Sequence, residues 1–302
     1  LARRLANMRG AAMKMGQVLS MEGAEILPPE FTKALAILRD SANTMPEAQV
    51  RKVLVSEYGK EWASLFERFE FEPIAAASIG QVHRATARDG RDLALKIQYP
   101  GVSRSIDSDV DNMALFMRMA NILPVEIDID GIVEETKRQL RQEADYLVEA
   151  KYLRDYRELV SGDPEFLVPE VHDDLTTRHV LAMEYVHGEP LESLGEEGVD
   201  QATRDRAGML LERLMFRELF ELRMVQTDPN FANYQYNAAS GQIVLLDFGA
   251  TRRFKASFVN NYRSLAKAAI GGNDQRLLAA AERIGYAVGD EDSEYRAIVL
   301  EL

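Results

Sequence analysis

The spacing of apolar and polar residues changes character several times along the chain. Residues 1–21 read as a helix, and amphipathic helices are predicted near 30–40 and over 46–58, the last with Pro46 at a first helical position. Pro28-Pro29 marks the loop between the first two. From Phe69 the period shortens. An alanine-rich bend over 72–82 leads into alternating residues up to Ala87, and a turn at Asp89-Gly90 then leads to the strand Leu93-Ala94-Leu95-Lys96-Ile97. A long helix is predicted from Gly131 to about Tyr156. A strand over 178–185 follows and runs into a glycine turn at Gly188. A strongly apolar helix is predicted over about 205–224, with its Leu, Met and Phe residues as a core. Tyr234–Tyr236 and the apolar run 243–246 should then pair across a turn at 237–241, and helical pattern resumes near Ala256.

This order predicts an α+β chain in three parts. Residues 1–65 form a helical extension, 66–186 a small β-rich lobe with inserted helices, and 187–302 a helical lobe. With 302 residues and 46% hydrophobic content, a sizeable core is available to one bilobal unit or two domains. The absence of cysteine excludes disulfides and thiolate metal sites, and four scattered histidines argue against zinc. No apolar run approaches the length of a membrane span. A net charge of −13 argues against nucleic acid as a partner. The first 21 residues differ, because Arg3, Arg4, Arg9 and Lys14 face no acid there until Glu22. A solvated basic helix is the plain interpretation, and contact with an anionic surface is the alternative. The chain starts at Leu1 without a signal-peptide pattern, which suggests a piece of something longer.

The chemistry concentrates in Gln226–Gly249. The hairpin places Asp228 and Asn233 at one strand end and Asp247 at the end of the next. Three hard oxygen ligands suit Mg²⁺ and a polyphosphate. Alone, Asp247-Phe248-Gly249 is a strand ending in a turn; the Asp228-x₄-Asn233 spacing upstream gives it the pattern of phosphoryl-transfer sites. Lys96 sits among apolar neighbours, which is costly unless it points outward from an edge strand or is paired. A paired lysine needs a helical acid, and Glu143, Asp145 and Glu149 lie in the long predicted helix, the last two on one face. Glu184 and Val186, where a strand leaves for a glycine turn, resemble a hinge whose backbone could meet an adenine edge. His187 beside them reads as a surface residue. Lys14 and Gln17 share a helix face, a polar pair more often structural than functional.

In order and spacing these motifs resemble the UbiB/ADCK family of atypical protein-kinase-like ATPases, over nearly the whole sequence. The specific parts are Lys14-Met15-Gly16-Gln17 (KxGQ), Ala75-Ala76-Ala77-Ser78 in place of a glycine-rich loop, and Glu143-Ala144-Asp145 (ExD). The forms around Asp228 and Asp247 resemble the branch serving coenzyme Q biosynthesis. The resemblance implies a bilobal protein-kinase-like fold with the KxGQ extension across its cleft, and ATP and Mg²⁺ as cofactors. It implies that Lys96 contacts the α/β-phosphates and pairs with Glu149, that Asn233 and Asp247 hold Mg²⁺, and that Asp228 is a base or water-orienting group. Lys14 and Gln17 would reach into the pocket, with Lys14 near Glu143 or Asp145. Departures from ordinary kinases (an alanine loop, Asn230 in place of a lysine, no Ala-Pro-Glu and a short activation segment) favour ATP hydrolysis or transfer to a small or lipid-linked acceptor. Implied partners are quinone-precursor lipids, an anionic membrane surface and coenzyme Q biosynthesis proteins. The implied location is peripheral on a membrane, on its cytoplasmic or mitochondrial-matrix side.

Overall fold

The computed structural model describes residues 44–119, 129–227 and 230–286. Lys14, Gln17, Asp228 and the predicted helices over 1–21 and 30–40 fall outside them. The described residues divide into two compact units, 44–189 with 233–250, and 190–232 with 251–286.

The first unit is built on an antiparallel sheet. In chain order its elements are α1 (Glu47–Tyr58), β1 (Phe66–Phe69), β2 (Ala75–Ala76), β3 (Gly80–Ala87), β4 (Asp92–Gln98), α2 (Val102–Met119), α3 (Ile129–Glu143), α4 (Tyr146–Val160), β5 (Phe166–Leu167) and β6 (Val180–Glu184). The strands run β1-β3-β4-β6, with β2 added on β3. Pro46 caps α1 from outside and is not its first helical residue. Asp89-Gly90 turns β3 into β4, with Gly90 at φ +90°, a conformation that glycine adopts without strain.

Alternation across the pleat gives the sheet two different faces. Ala85, Ala87, Leu93, Leu95, Ile97, Val180 and Ala182 pack against Val50, Val53 and Leu54 of α1 and against Trp62 and Phe66. Two polar side chains share this core. Gln81 Oε1 accepts from the Met45 N–H at 2.8 Å, and Gln81 Nε2 lies 2.7 Å from His83 Nε2. His83 Nδ1 reaches the Glu70 carbonyl at 2.8 Å. Since the Gln81 amide donates, His83 is neutral with its proton on Nδ1, and the side-chain nitrogens and oxygen of Gln81 and His83 all have partners.

Burial holds His83 below the ordinary imidazole range, against the opposing pull of the Glu70 carbonyl and Glu72. The unfolded chain therefore takes up this proton first as pH falls past about 6.5, so the folded state loses stability on acidification. Denaturant unfolding at pH 7.5 and 5.5 should show a larger loss for wild type than for His83→Gln. Equal losses would mean that this ring does not titrate on unfolding.

The opposite face of the sheet carries Val82, Lys96 and Leu181, which are paired across the strands. Against it lies α4, whose buried residues Tyr146, Glu149, Ala150, Leu153 and Tyr156 recur at helical spacing. The single long helix expected from 131 to 156 is in fact two helices. Asp145 has extended backbone, and its carboxylate accepts from the Leu147 N–H, so it caps α4. Asp145 and Glu149 therefore do not share a helical face, and Glu143 and Asp145 do not share a helix. Capping chemistry outweighed an apolar period that ran on through the break.

The hairpin of β9 (Tyr234–Asn237) and β10 (Gln242–Leu245) also belongs to this unit. Its register pairs Tyr236 with Ile243, and β10 runs parallel to β5. The second unit contains α5 (Gln201–Arg217), β8 (Met224–Gln226), β11 (Thr251–Arg253), α6 (Ala256–Ile270) and α7 (Asp274–Ile284), while the two-residue strand β7 (Glu189–Pro190) lies at the division. Here the expected helix over 205–224 is corrected. α5 ends at Arg217, a π-turn spans Glu218–Leu222, and Met224 opens a strand paired with β11. Met209, Met215 and Phe216 are exposed rather than core.

Candidate active site

Lys96 occupies an interior strand, not the edge on which an outward-pointing lysine would have been cheap. Its side chain is 8% exposed. Nζ donates to Glu149 Oε1 and Oε2 at 2.8 and 3.0 Å and to Asp247 Oδ2 at 3.0 Å. A buried ammonium with a single partner repays its desolvation poorly; two carboxylates and good geometry change that balance. Burial alone would lower the Lys96 pKa, but Asp247 and Glu149 outweigh it and hold the ammonium well above its usual range. Burial pushes the Glu149 carboxyl up to about 7 despite Lys96, and Asp247 adds to that rise.

Asp247 is placed by both of its neighbours. Phe248 is fully buried against Tyr156, with ring centroids 4.9 Å apart, and Tyr156 lies two helical turns beyond Glu149 on the same face of α4. Gly249 N–H donates to Asp247 Oδ1 at 2.9 Å. The Asn233 carbonyl accepts from the Leu246 N–H at 3.0 Å, so the start of β9 and the approach to Asp247 are tied together. Among the described residues no three acidic or histidine side chains form a ready-made metal cage. Asp247 and Asn233 offer two oxygen donors, which fits a hydrated cation completed by phosphate oxygens.

The alanine bend is short. Ala75 pairs with Val82, Ala76 with Gln81, and the Ala77 N–H donates to the Gly80 carbonyl at 2.9 Å. None of its residues has positive φ, so alanine costs nothing there. Ser78 Oγ donates to Glu143 Oε2 at 3.0 Å, and Gln142 Nε2 reaches the Gly249 carbonyl at 3.4 Å. The end of α3 thus touches both the alanine bend and the Asp-Phe-Gly segment. At the exit of β6, Glu184 has its N–H and carboxylate committed to Glu170. Tyr185 is clamped by the Arg84 guanidinium, 4.2 Å from its ring, and by His187. Val186 follows, half-buried, and His187 is exposed.

The structure therefore brings together Lys96, Glu149 and Asp247, with Glu143 beside them next to Gly249 and bonded to Ser78. Asp145 serves α4, and its other contact is Arg178 at 3.4 Å. Two contributors were not singled out from sequence. Phe248 fixes Asp247, and Gln98 ties β4 to the α3–α4 break by donating to the Ala144 carbonyl at 3.1 Å. A phenylalanine after a strand and a glutamine in one look like ordinary filler, and only the contact partner distinguishes them.

A family model described as the ABC1 atypical kinase-like domain matches residues 37–281. "Atypical kinase COQ8B, mitochondrial" of Danio rerio is 41% identical over 95% of this chain and 46% of its own length. "Atypical kinase COQ8, mitochondrial" of Saccharomyces cerevisiae is 35% identical over 98% of this chain and 59% of its own length. The chain thus spans about half the length of these relatives. Among solved structures, the Rv3197 protein of Mycobacterium tuberculosis, solved in complex with erythromycin, superposes with a TM-score of 0.69 at 31% identity. That match covers 92% of this chain and 70% of Rv3197.

Proposed function

The chain belongs to the ABC1 (UbiB/ADCK) atypical kinase-like family, with the α+β kinase-like fold, and from that membership and the site geometry we propose that it is a Mg-ATP-dependent phosphoryl-transfer enzyme. One observation carries the proposal: Lys96 is bonded at once to Glu149 and Asp247. All three N–H groups of this buried lysine meet carboxylate oxygens, and a polyphosphate oxygen can take over the one now given to Asp247 when Asp247 turns to the metal. In this assignment Lys96 meets the α/β-phosphates and Glu149 holds it in place. Asn233 and Asp247 hold Mg²⁺, which would neutralise phosphate charge and align the transferred group. Ala75, Ala76, Ala77 and Ser78 cover the phosphates, and backbone at Glu184 and Val186 faces the adenine. Asp228, Lys14 and Gln17 keep the roles that the family pattern gives them, as base or water-orienting group and as pocket residues from the extension, with Glu143 or Asp145 meeting Lys14.

The preferred activity is ATP hydrolysis that supports coenzyme Q biosynthesis, directed at membrane-bound lipid intermediates or the enzymes that handle them. The short segment between Gly249 and α6, and relatives named COQ8, support that choice over a peptide kinase. The basic stretch at residues 1–21 supports peripheral attachment to an anionic membrane, and no described helix is long and apolar enough to cross one. The test is incubation with γ-labelled Mg-ATP, with and without liposomes containing anionic lipid. Free phosphate released faster with liposomes is the expected result. Label retained on a protein or small acceptor would instead make it a kinase. Tight binding with neither outcome would make it a nucleotide-switched scaffold.

A further inference from the structure

Tyr146 is a buried polar group at this site for which the scheme above has no role. The side chain is fully buried, and its hydroxyl has no hydrogen-bond partner among the described residues. Such a group costs free energy to bury, and phenylalanine would fill the same space without that cost.

The position of the hydroxyl is informative. Gly80 and Val82 lie two residues apart on β3 and so point to one face, and Val82 is paired with Lys96. A Cβ built on Gly80 would stand 2.9 Å from Tyr146 Oη, so the hydroxyl lies on the Lys96 face, under the first residue of β3. Lys96 Nζ lies 5.4 Å from the centre of the tyrosine ring, and Glu149 is one helical turn further along α4. The bend is held to the same place from outside, since Ser78 is bonded to Glu143 three residues before Tyr146. That bond is solvent-exposed and readily exchanged for water, so it does not lock residues 75–78 in place beside the hydroxyl.

We propose that the Tyr146 hydroxyl is a donor to the phosphates of a bound nucleoside di- or triphosphate, left without a partner until they arrive. The proposal rests on the nucleotide-binding assignment and adds a residue to it. Burial raises the pKa of this phenol against the opposing pull of Lys96, and the surrounding carboxylates add to the rise, keeping it a neutral O–H, which is the form a phosphate oxygen needs.

Tyr146→Phe tests this on the 302-residue chain, by calorimetric titration with Mg-ATP, Mg-ADP and adenosine and by thermal unfolding without ligand. The variant should melt at or above the wild-type temperature. It should bind Mg-ATP and Mg-ADP about tenfold more weakly and adenosine unchanged. Phosphate-bearing ligands bound within twofold of wild type would overturn the proposal. So would a lower melting temperature, which would make the hydroxyl structural, or an equal loss for adenosine, which would locate the effect away from the phosphates. A wild type that binds no Mg-nucleotide sinks the nucleotide assignment and the donor role together. A wild type that binds, matched by the variant, sinks the donor role alone.

Discussion

Asp247→Asn should lower phosphate release from Mg-ATP by at least about 100-fold while leaving the first unit folded. Oδ1 of the carboxylate accepts from the Gly249 N–H and Oδ2 accepts from Lys96. An amide has one acceptor oxygen, so it must give up one of these bonds or turn its NH₂ toward the ammonium. Lys96 keeps both bonds to Glu149 in either case. Glu149 also loses a neighbouring negative charge that raises its pKa, so it ionises more easily and holds Lys96 better. These effects oppose each other, and the Asp247 side chain is 37% exposed, so a net stability change within about 1 kcal/mol is expected. The metal has no such compensation, because exchanging an anionic oxygen for a neutral one removes its charged ligand. Nucleotide binding in EDTA should therefore survive in the variant, while the gain from added Mg²⁺ disappears. Release at the wild-type rate would show that Asp247 does not carry the metal.

The parts of this site that could be read from sequence are those fixed by short-range chemistry. Asp89-Gly90 and the 237–241 turn each determined a strand pairing, because few residues tolerate such turns. Asp247 was found because a strand end and an upstream Asp-x₄-Asn are both local. Lys96 was flagged by the cost of burying it, but its second carboxylate was not, since Asp247 lies 151 positions away and nothing in the strand announces it. The α3–α4 break was missed because Leu140, Ala144, Leu147 and Val148 continue a helical period across it. Asp145 was the available signal: an N-cap residue type directly before the apolar pair Tyr146-Leu147. Exposed Met209, Met215 and Phe216 defeated the core expectation for a different reason, since composition does not say which face of a helix is covered. The unpartnered Tyr146 hydroxyl was invisible to the sequence, because a tyrosine at an apolar helical position reads as packing.

Gly80→Ala should destabilise the first unit by roughly 2–4 kcal/mol and lower its melting temperature by about 5–10 °C. The backbone of Gly80 is not strained, so the argument is space and not conformation. A methyl group here would run into the Ile97 carbonyl oxygen of β4 and come within 2.9 Å of Tyr146 Oη. The tyrosine hydroxyl is the far end of a side chain and can give by a few tenths of an ångström; the carbonyl cannot, because Ile97 is paired on both sides, with Gln81 in β3 and Val180 in β6. Relief must come from moving β3 away from β4, and that displaces Val82 and Lys96 together. Nucleotide affinity should accordingly fall with stability. Gly162→Ala, where a methyl group meets nothing within 4 Å, serves as the control and should stay within about 0.5 kcal/mol of wild type. Combining Gly80→Ala with Tyr146→Phe separates the two collisions. If the carbonyl dominates, removing the hydroxyl recovers less than half of the loss, whereas full recovery would show that the strand yields and the phenol was the real obstacle.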